Sequence, residues 1–139
     1  MTDDFGRLRR YAKSLPRRIY KALLLCTLYL EGKVEEEAPV VTGNLVNSIS
    51  SYAVDRGASS YGVVALGSKY VAFVIEGTGI YGPRGTPIVP TRKKALAFFY
   101  HGLKVVVRSV RGQRPNPFHI RAFRKSAPKL NEIVGRMLR

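Results

Sequence analysis

The stretch from Ser14 to Val34, SLPRRIYKALLLCTLYLEGKV, predicts the first element of the fold. Its apolar residues recur at spacings of three and four, the period of one face of an α-helix, at Leu15, Ile19, Leu23, Cys26, Leu30 and Val34. Ser14 as an N-cap and Pro16 in the first turn predict the start of this helix. Glu35-Glu36-Glu37 and then Pro39 predict its end. Residues 1–13 either extend the helix or form a flexible or separate short helical arm.

Two later regions have the composition of β-hairpins. The first has strands at residues 51–54 and 61–65 around the turn residues Arg56-Gly57, and the second has strands at residues 95–100 and 103–110 around His101-Gly102. Between the hairpins, residues 70–75 are apolar throughout, so they form either a strand or a buried helix. Residues 76–90 are rich in Gly and Pro and predict a long loop, which suits a functional or partner-binding role.

A basic amphipathic helix is predicted at the C-terminus, after Pro115-Asn116-Pro117. Its apolar residues recur at helical spacing at Phe123, Ala127, Leu130, Val134 and Met137 or Leu138. The order of elements indicates an α+β domain with an antiparallel sheet of about four strands, packed by a long N-terminal and a C-terminal helix. At 139 residues the chain fits one domain, 1–139. We expect Leu23, Leu30, Leu130 and Val134 to be buried where the helices cover the sheet.

Positive charge is concentrated in the last third of the chain. The formal net charge is +15, and residues 91–139 hold thirteen Lys and Arg residues against one acidic residue, Glu132. Such a balance implies a polyanionic neighbour or a strongly basic solvent-exposed face. A phosphate-binding surface would include Arg92-Lys93-Lys94, the hairpin cations Lys104, Arg108, Arg111 and Arg114, and also Arg121, Arg124, Lys125 and Lys129 on the last helix.

The sequence gives little support for catalysis. Cys26 is the single cysteine, and His101 and His119 have no partner at the spacing of a metal site or a catalytic triad. Acidic residues are too sparse for a pair of catalytic carboxylates, and no glycine pattern opens a helix as nucleotide-binding loops do. The acidic N-terminus argues against a signal peptide, and no apolar run is long enough to span a membrane. We therefore expect no enzyme activity, catalytic residue, cofactor or metal.

Four features in order resemble one family. Residues 39–49, PVVTGNLVNSI, resemble its proline, Thr-Gly, Leu and Ser-Ile signature after a long first helix. Residues 70–78, YVAFVIEGT, resemble its Tyr-Ala, Val-Glu and Gly-Thr segment. A Gly/Pro-rich loop and a hairpin follow, as they do in the family. Pro115-Asn116-Pro117-Phe118 resembles its Pro-x-Pro-Phe before the last helix. The family is that of the tail-completion and head–tail joining proteins, the neck or minor tail proteins, of long-tailed bacteriophages and prophages.

The resemblance implies a structural virion protein of the neck or tail, assembled in the host cytoplasm. It would form a ring around the DNA channel, with six copies as the family-based number, and join neighbouring connector or adaptor and tail-tube proteins. The motif residues would have structural roles: Thr42, Gly43, Leu45, Glu76, Gly77, Thr78, Pro115, Pro117 and Phe118. Thr42 would cap a short helical piece, Pro117 would set the start of the last helix, and Phe118 would seat that helix on the sheet.

Two other classes of function stay open. A non-specific DNA- or RNA-binding protein would explain the concentrated basic charge, although no helix-turn-helix, zinc-finger or RNA-recognition signature is present. In a ring, the same charge would contact packaged DNA without reading its sequence. The hairpin would then project toward the channel axis, because its strands are long and its turn is expected to carry few apolar groups. An enzyme is the third class.

Overall fold

The computed structural model describes residues 2–40 and 43–139, with side chains from residue 4 onward. The order of its helices and strands is α1 (Thr2–Glu37), β1 (Ile49–Val54), β2 (Tyr61–Leu66), α2 (Val71–Glu76), β3 (Leu96–Tyr100), β4 (Leu103–Val107) and α3 (Phe118–Leu138). Short 3-10 turns occupy Val46–Ser48, Gly57–Ser59 and Gly79–Tyr81. The α+β class is therefore confirmed.

The chain forms two compact units. One, here called the helical unit, consists of Met1–Ser68 and Phe118–Arg139, and the other, the hairpin unit, consists of Lys69–Pro117. The helical unit contains α1, β1, β2 and α3. The hairpin unit contains α2, β3 and β4.

Helix α1 begins twelve residues before the predicted N-cap and is continuous from Thr2 to Glu37. Pro16 lies inside it, and the Ser14 hydroxyl donates to the carbonyl of Tyr11 at 2.9 Å instead of capping an N-terminus. The predicted start was wrong, and residues 2–13 extend the helix. A proline inside a helix removes one hydrogen bond. Leu8 and Phe5 continue the apolar spacing upstream but are 70% and 80% exposed, so their burial does not offset this loss. The upstream turns instead contact α3, where the Tyr11 hydroxyl donates to the Leu138 carbonyl at 2.6 Å.

The first hairpin packs on α1 in the helical unit. Strands β1 and β2 are antiparallel, with Ile49 opposite Leu66 and Val54 opposite Tyr61. A Cβ added at Gly62 would lie 2.0 Å from the Thr27 hydroxyl oxygen, so only glycine permits this approach of β2 to the helix. The Thr27 hydroxyl donates back to the carbonyl of Leu23 at 2.6 Å, which satisfies this buried polar group.

The second helix of this unit, α3, packs on α1 through small side chains. Phe118, Ala122 and Ser126 recur every four residues on α3 and are fully buried. The Ser126 hydroxyl donates to the carbonyl of Ala122 at 2.7 Å, so the buried hydroxyl has a partner inside its own helix. Small residues at this face permit close approach of the two helices.

The core therefore differs from the predicted one. Leu23, Leu30 and Leu130 are half-buried, and Val134 is exposed, as is Phe123. The predicted stripes assumed that the largest apolar residues mark the centre of each contact. Among the described residues the buried apolar core instead consists of Ala22, Val34, Ala38, Leu45, Ile49, Phe118 and Ala122, so three of its members are alanines with a weak hydrophobic signal.

The hairpin unit holds β3 and β4, which are antiparallel with Leu96 opposite Val107 and Tyr100 opposite Leu103. Their connection, His101-Gly102, has positive φ at both residues (48° and 80°), as a tight two-residue hairpin turn requires. Residues 70–75, for which a strand and a buried helix were both open, lie largely in α2 (Val71–Glu76), and none of the residues of this helix is buried. Most of the predicted loop at 76–90 is irregular, with one isolated bridge between Ile88 and Val110.

The four strands form two separate two-stranded sheets in place of the single predicted sheet of about four strands. Alternation and turn residues specify pairing inside each hairpin, because the register follows from the local turn. They do not specify pairing between hairpins whose strands are separated by residues 67–95. The expectation of one sheet came from counting strands, and the structure corrects it.

Candidate functional site

The structure brings together two of the motifs that the sequence separates by about 35 residues. The Thr78 N–H donates to the Gln113 carbonyl at 2.9 Å, and the Gln113 N–H donates to the Thr78 hydroxyl oxygen at 2.9 Å. The Asn116 N–H donates to the Val74 carbonyl at 2.9 Å. These bonds join the Gly77-Thr78 segment to the Pro115-Asn116-Pro117 segment inside the hairpin unit.

Glycine is required where these segments cross. Gly77 has φ +80°, and a Cβ there would lie 2.8 Å from the Gln113 carbonyl oxygen and 2.9 Å from the Pro115 ring. Gly79 (φ +64°) and Gly112 (φ +97°) approach even more closely, since a Cβ on either would lie 2.1 Å from a carbonyl oxygen of the other segment. Gly77 and Thr78 therefore lie at this crossing. Glu76 is exposed at the end of α2.

The remaining motif residues also have structural positions in the helical unit. Gly43 has φ +77°, a conformation that is costly for other residues, and Leu45 is buried. Phe118 is the first residue of α3 and is completely buried, directly after Pro117. Thr42, the expected cap, lies outside the described residues.

The largest exposed apolar surface of the hairpin unit is the β3–β4 hairpin. Residues directly opposite each other in an antiparallel pair share a face. One face therefore consists only of apolar side chains, Leu96, Phe98, Tyr100, Leu103, Val105 and Val107. The other face carries Ala97, Phe99, Val106 and one cation, Lys104. Phe99 is 76% exposed and Leu103 is 72% exposed.

This surface contradicts the expectation that the turn carries few apolar groups. Tyr100 and Leu103 flank the turn, and both are exposed. Residues 96–100 are apolar or aromatic at every position, so the sequence does not show which side of the strand remains uncovered. That depends on what packs against it. An apolar hairpin tip favours contact with protein over contact with phosphate.

The four proposed phosphate-contact residues are all exposed but lie at separate positions along the hairpin unit. Lys104 is on β4 opposite Phe99, and Arg108 follows that strand. The backbone carbonyl of Arg111 accepts a hydrogen bond from the Ile80 N–H at 2.8 Å. The Arg114 guanidinium lies over the ring of Tyr81, 5.4 Å from its centre. Only Lys104 belongs to the hairpin strands.

Several cations of α3 are already paired inside the helical unit. Arg121 and Lys125 both contact the Glu37 carboxylate, Arg121 at 3.3 Å. The hydrogen bond from Lys125 is the main reason that the pKa of Glu37 is lowered. Lys129 at 3.1 Å and Arg136 at 2.7 Å contact Glu132, and the bond from Lys129 lowers its pKa. These pairs reduce the positive potential of α3 that the sequence predicted.

A second basic region, missed in the sequence analysis, lies on the first half of α1. Seven cations occur from residue 7 to residue 21 with no acidic residue among them: Arg7, Arg9, Arg10, Lys13, Arg17, Arg18 and Lys21. The net charge of residues 1–37 is only +2, because four glutamates occupy residues 31–37. A running charge sum along the helix would have revealed the segregation of the two signs.

The described residues contain no group of three or more His, Cys, Asp and Glu side chains that could hold a metal ion. The Cys26 thiol donates to the Leu130 carbonyl at 3.8 Å, and burial raises its pKa, which makes it less reactive. His119 lines an apolar groove of about 340 Å³ with side chains of α1, β2 and α3, and its Nδ1 is buried with no hydrogen-bond partner.

No helix in the described part of the chain is both long and apolar enough to cross a bilayer. A scan against protein-family models, a search of curated proteins and a search of solved structures found no match for this chain.

Proposed function

We propose that this protein is a structural subunit of a tailed-phage neck or tail, which joins or completes the tail at the head–tail interface. It acts by binding other proteins: further copies of itself in a ring around the DNA channel, six by family resemblance, and the neighbouring connector and tail-tube proteins. The observation that carries the proposal is the β3–β4 hairpin, which has one all-apolar face and a second face with a single cation, Lys104, and which is most exposed near its turn, at Phe99, Tyr100 and Leu103.

Such a hairpin favours a protein partner for a physical reason. A two-stranded hairpin is marginally stable by itself and normally requires a further strand or a covering layer. Exposed contiguous apolar surface on a soluble protein marks interaction sites. Both requirements are met when a neighbouring subunit covers the hairpin, and a subunit of a closed ring always has neighbours.

The ordered motifs support the same reading. In the family that the sequence resembles, the Gly-Thr and Pro-x-Pro segments flank a loop and hairpin. Here these two segments bond to each other at the base of the region that contains the hairpin. These bonds hold together the two segments that flank the loop and the hairpin. A fixed backbone at this point would help to orient the exposed side chains of the hairpin toward a partner.

The test is complementation in a phage that encodes the chain. Deleting the gene should give filled heads and tails that do not join, and wild-type protein should restore infectious particles. Phe99→Thr should restore few particles, because it removes the most exposed aromatic ring of the hairpin. Tyr52→Thr is the matched control, since it replaces an exposed strand aromatic in the helical unit and should complement fully.

Normal particles from the deletion would refute the neck function. Equal complementation by Phe99→Thr and wild type would refute the role of the hairpin. Particle reconstruction adds an independent measurement: a ring on the tail axis is expected, and a single copy off the axis contradicts it.

Non-specific nucleic-acid binding is the second candidate, favoured by the net charge of +15 and the unbroken run of cations on α1. DNA affinity should then fall steeply with salt and show no sequence preference, with each lost phosphate contact reducing the salt slope by about 0.9. Two quadruple glutamine variants distinguish the surfaces. One neutralises Lys104, Arg108, Arg111 and Arg114, and the other Arg9, Arg10, Lys13 and Lys21.

The variant with the smaller salt slope identifies the surface that contacts phosphate. Both variants should fold, because exposed charges contribute little to stability. Wild-type slopes in both would exclude phosphate contact at these residues and leave the assembly proposal unaffected.

A further inference from the structure

Helix α1 has three faces, and two of them are covered within the helical unit. On one side α1 contacts α3. The Tyr11 hydroxyl donates to the Leu138 carbonyl at 2.6 Å, and the Cys26 thiol donates to the Leu130 carbonyl, which lies nearer the start of α3. On a second side Thr27 faces Gly62, and the Ser51 hydroxyl donates to the Glu31 carboxylate at 2.6 Å. The third side is covered by neither α3 nor the β1–β2 hairpin.

This open face has its own periodic pattern. Its residues recur at alternating spacings of three and four: Arg18, Lys21, Leu25, Leu28, Gly32 and Glu35. That spacing is the heptad seam by which two helices pack side by side. At its centre Leu25 is 46% exposed and Leu28 is 51% exposed. A Cβ at Gly32 would meet nothing within 4 Å, so no contact inside the chain accounts for a glycine at this helical position.

Charge along the open face reverses at the two leucines. Arg17, Arg18 and Lys21 precede them, and Glu35 and Glu36 follow. Two such helices aligned in parallel would place like charges opposite each other. Aligned antiparallel, they place each basic end opposite an acidic end, so the face is electrostatically complementary to itself in one orientation only.

We propose that two copies of this chain associate through this face, with their α1 helices antiparallel. Placing Leu25 opposite Leu28 of the partner subunit fixes the register. The same register places Arg18 opposite Glu35 of the partner subunit and Arg17 opposite Glu36 of the partner subunit. Lys21 then lies opposite Gly32 of the partner subunit, where the absence of a side chain leaves room for the lysine stem.

The contact is two-fold symmetric, so every pair occurs twice. From Arg17 to Glu36 each helix contributes 20 residues, a length of about 30 Å. The Arg18 guanidinium now lies over the Tyr11 ring at 5.2 Å, and Lys33 contacts Glu36 at 2.6 Å. Arg18 is half-buried and the Glu36 side chain is 63% exposed, so a partner helix would compete with Tyr11 for Arg18 and with Lys33 for Glu36. The apolar contact of the leucines lies between these two charged ends.

The inference does not rest on the proposed neck function. A two-fold contact cannot link successive subunits of a cyclic ring, because those subunits all point the same way around the axis. The antiparallel pair is therefore a form of the free protein, or a contact between two rings. In either case it covers Leu25 and Leu28, which would otherwise stay exposed to solvent.

The experiment is a charge swap followed by sedimentation equilibrium of the full chain. One variant carries Arg17→Glu and Arg18→Glu, and the other carries Glu35→Arg and Glu36→Arg. Wild type should dimerise, and each variant alone should dimerise at least about tenfold more weakly, because like charges then face each other. An equimolar mixture of the two variants should recover a one-to-one heterodimer, since each basic end again meets an acidic one.

The matched control is Arg9→Glu with Lys13→Glu, which makes the same charge change on the same helix. In the proposed register these residues extend beyond Glu37 of the partner subunit, so dimerisation should stay close to wild type. Circular dichroism of each variant alone checks that the helices are retained. A monomeric wild type at all concentrations would overturn the inference, and so would a mixture that associates no better than its components.

Discussion

Replacing Gly112 by alanine should destabilise the hairpin unit selectively. Gly112 has φ +97°, and a Cβ there would lie 2.1 Å from the Thr78 carbonyl oxygen. The segments must separate to admit it, which weakens the two bonds between Thr78 and Gln113 and the bond from Ile80 to Arg111, at 2.8 to 2.9 Å. At about 1 kcal/mol for each of the three hydrogen bonds and about 1–2 kcal/mol for the backbone strain, the loss is roughly 4–5 kcal/mol.

The assay is native-state hydrogen exchange at the amides of Thr78, Ile80 and Gln113, which reports on this crossing directly. Gly85→Ala is the matched control, because Gly85 has φ +61° but open space around it. It should cost only the backbone strain, about 1–2 kcal/mol. Equal loss of amide protection in the Gly112→Ala and Gly85→Ala variants would contradict the close approach of Gly112 to Thr78.

Phe118→Ala should lower the free energy of unfolding by about 3–5 kcal/mol, because the side chain is completely buried; a urea-denaturation midpoint equal to that of wild type would contradict this. Gly62→Ala should cost about 1–3 kcal/mol in a thermal melt through its clash with Thr27, and adding Thr27→Ala should recover part of that loss, so strictly additive costs would argue against the contact. Glu37→Gln should lower the melting temperature at pH 7. Since the folded-state pKa of Glu37 is lowered, its contribution is complete above the ordinary glutamate pKa and disappears as pH falls through the folded value. A difference between Glu37→Gln and wild type that persists unchanged below that pH would contradict the assignment.

The elements of this protein could largely be read from local sequence. Both hairpins lie where β-rich residues surround turn residues, and His101-Gly102 forms the predicted tight turn with both φ values positive. The C-terminal helix begins at Phe118, directly after the proline-rich break. Such features depend on residues close in sequence, whose conformational preferences act before any tertiary contact forms.

The start of α1 and the positions of the buried residues could not be read in this way. Pro16 and Ser14 are local signals for a helix start, but α1 continues upstream of them, and the contact of Tyr11 with Leu138 of α3 is not visible in the local sequence. Small residues such as Ala122 and Ser126 carry a weak hydrophobic signal, so their complete burial follows only from how closely the two helices approach.

Sequence by itself determined the order of the elements, the two-residue turn and the concentration of positive charge, because each is a property of neighbouring residues or of simple counting. Tertiary structure alone decided which charges are neutralised, since Glu37 meets Arg121 and Lys125 across more than 80 positions of the chain. It also decided that Gly79 and Gly112 cross, and that Leu25 and Leu28 stay exposed while Ala22 is buried on the same helix. Periodicity shows that a helix has an apolar side, but only the packing of its neighbours selects the side that is covered.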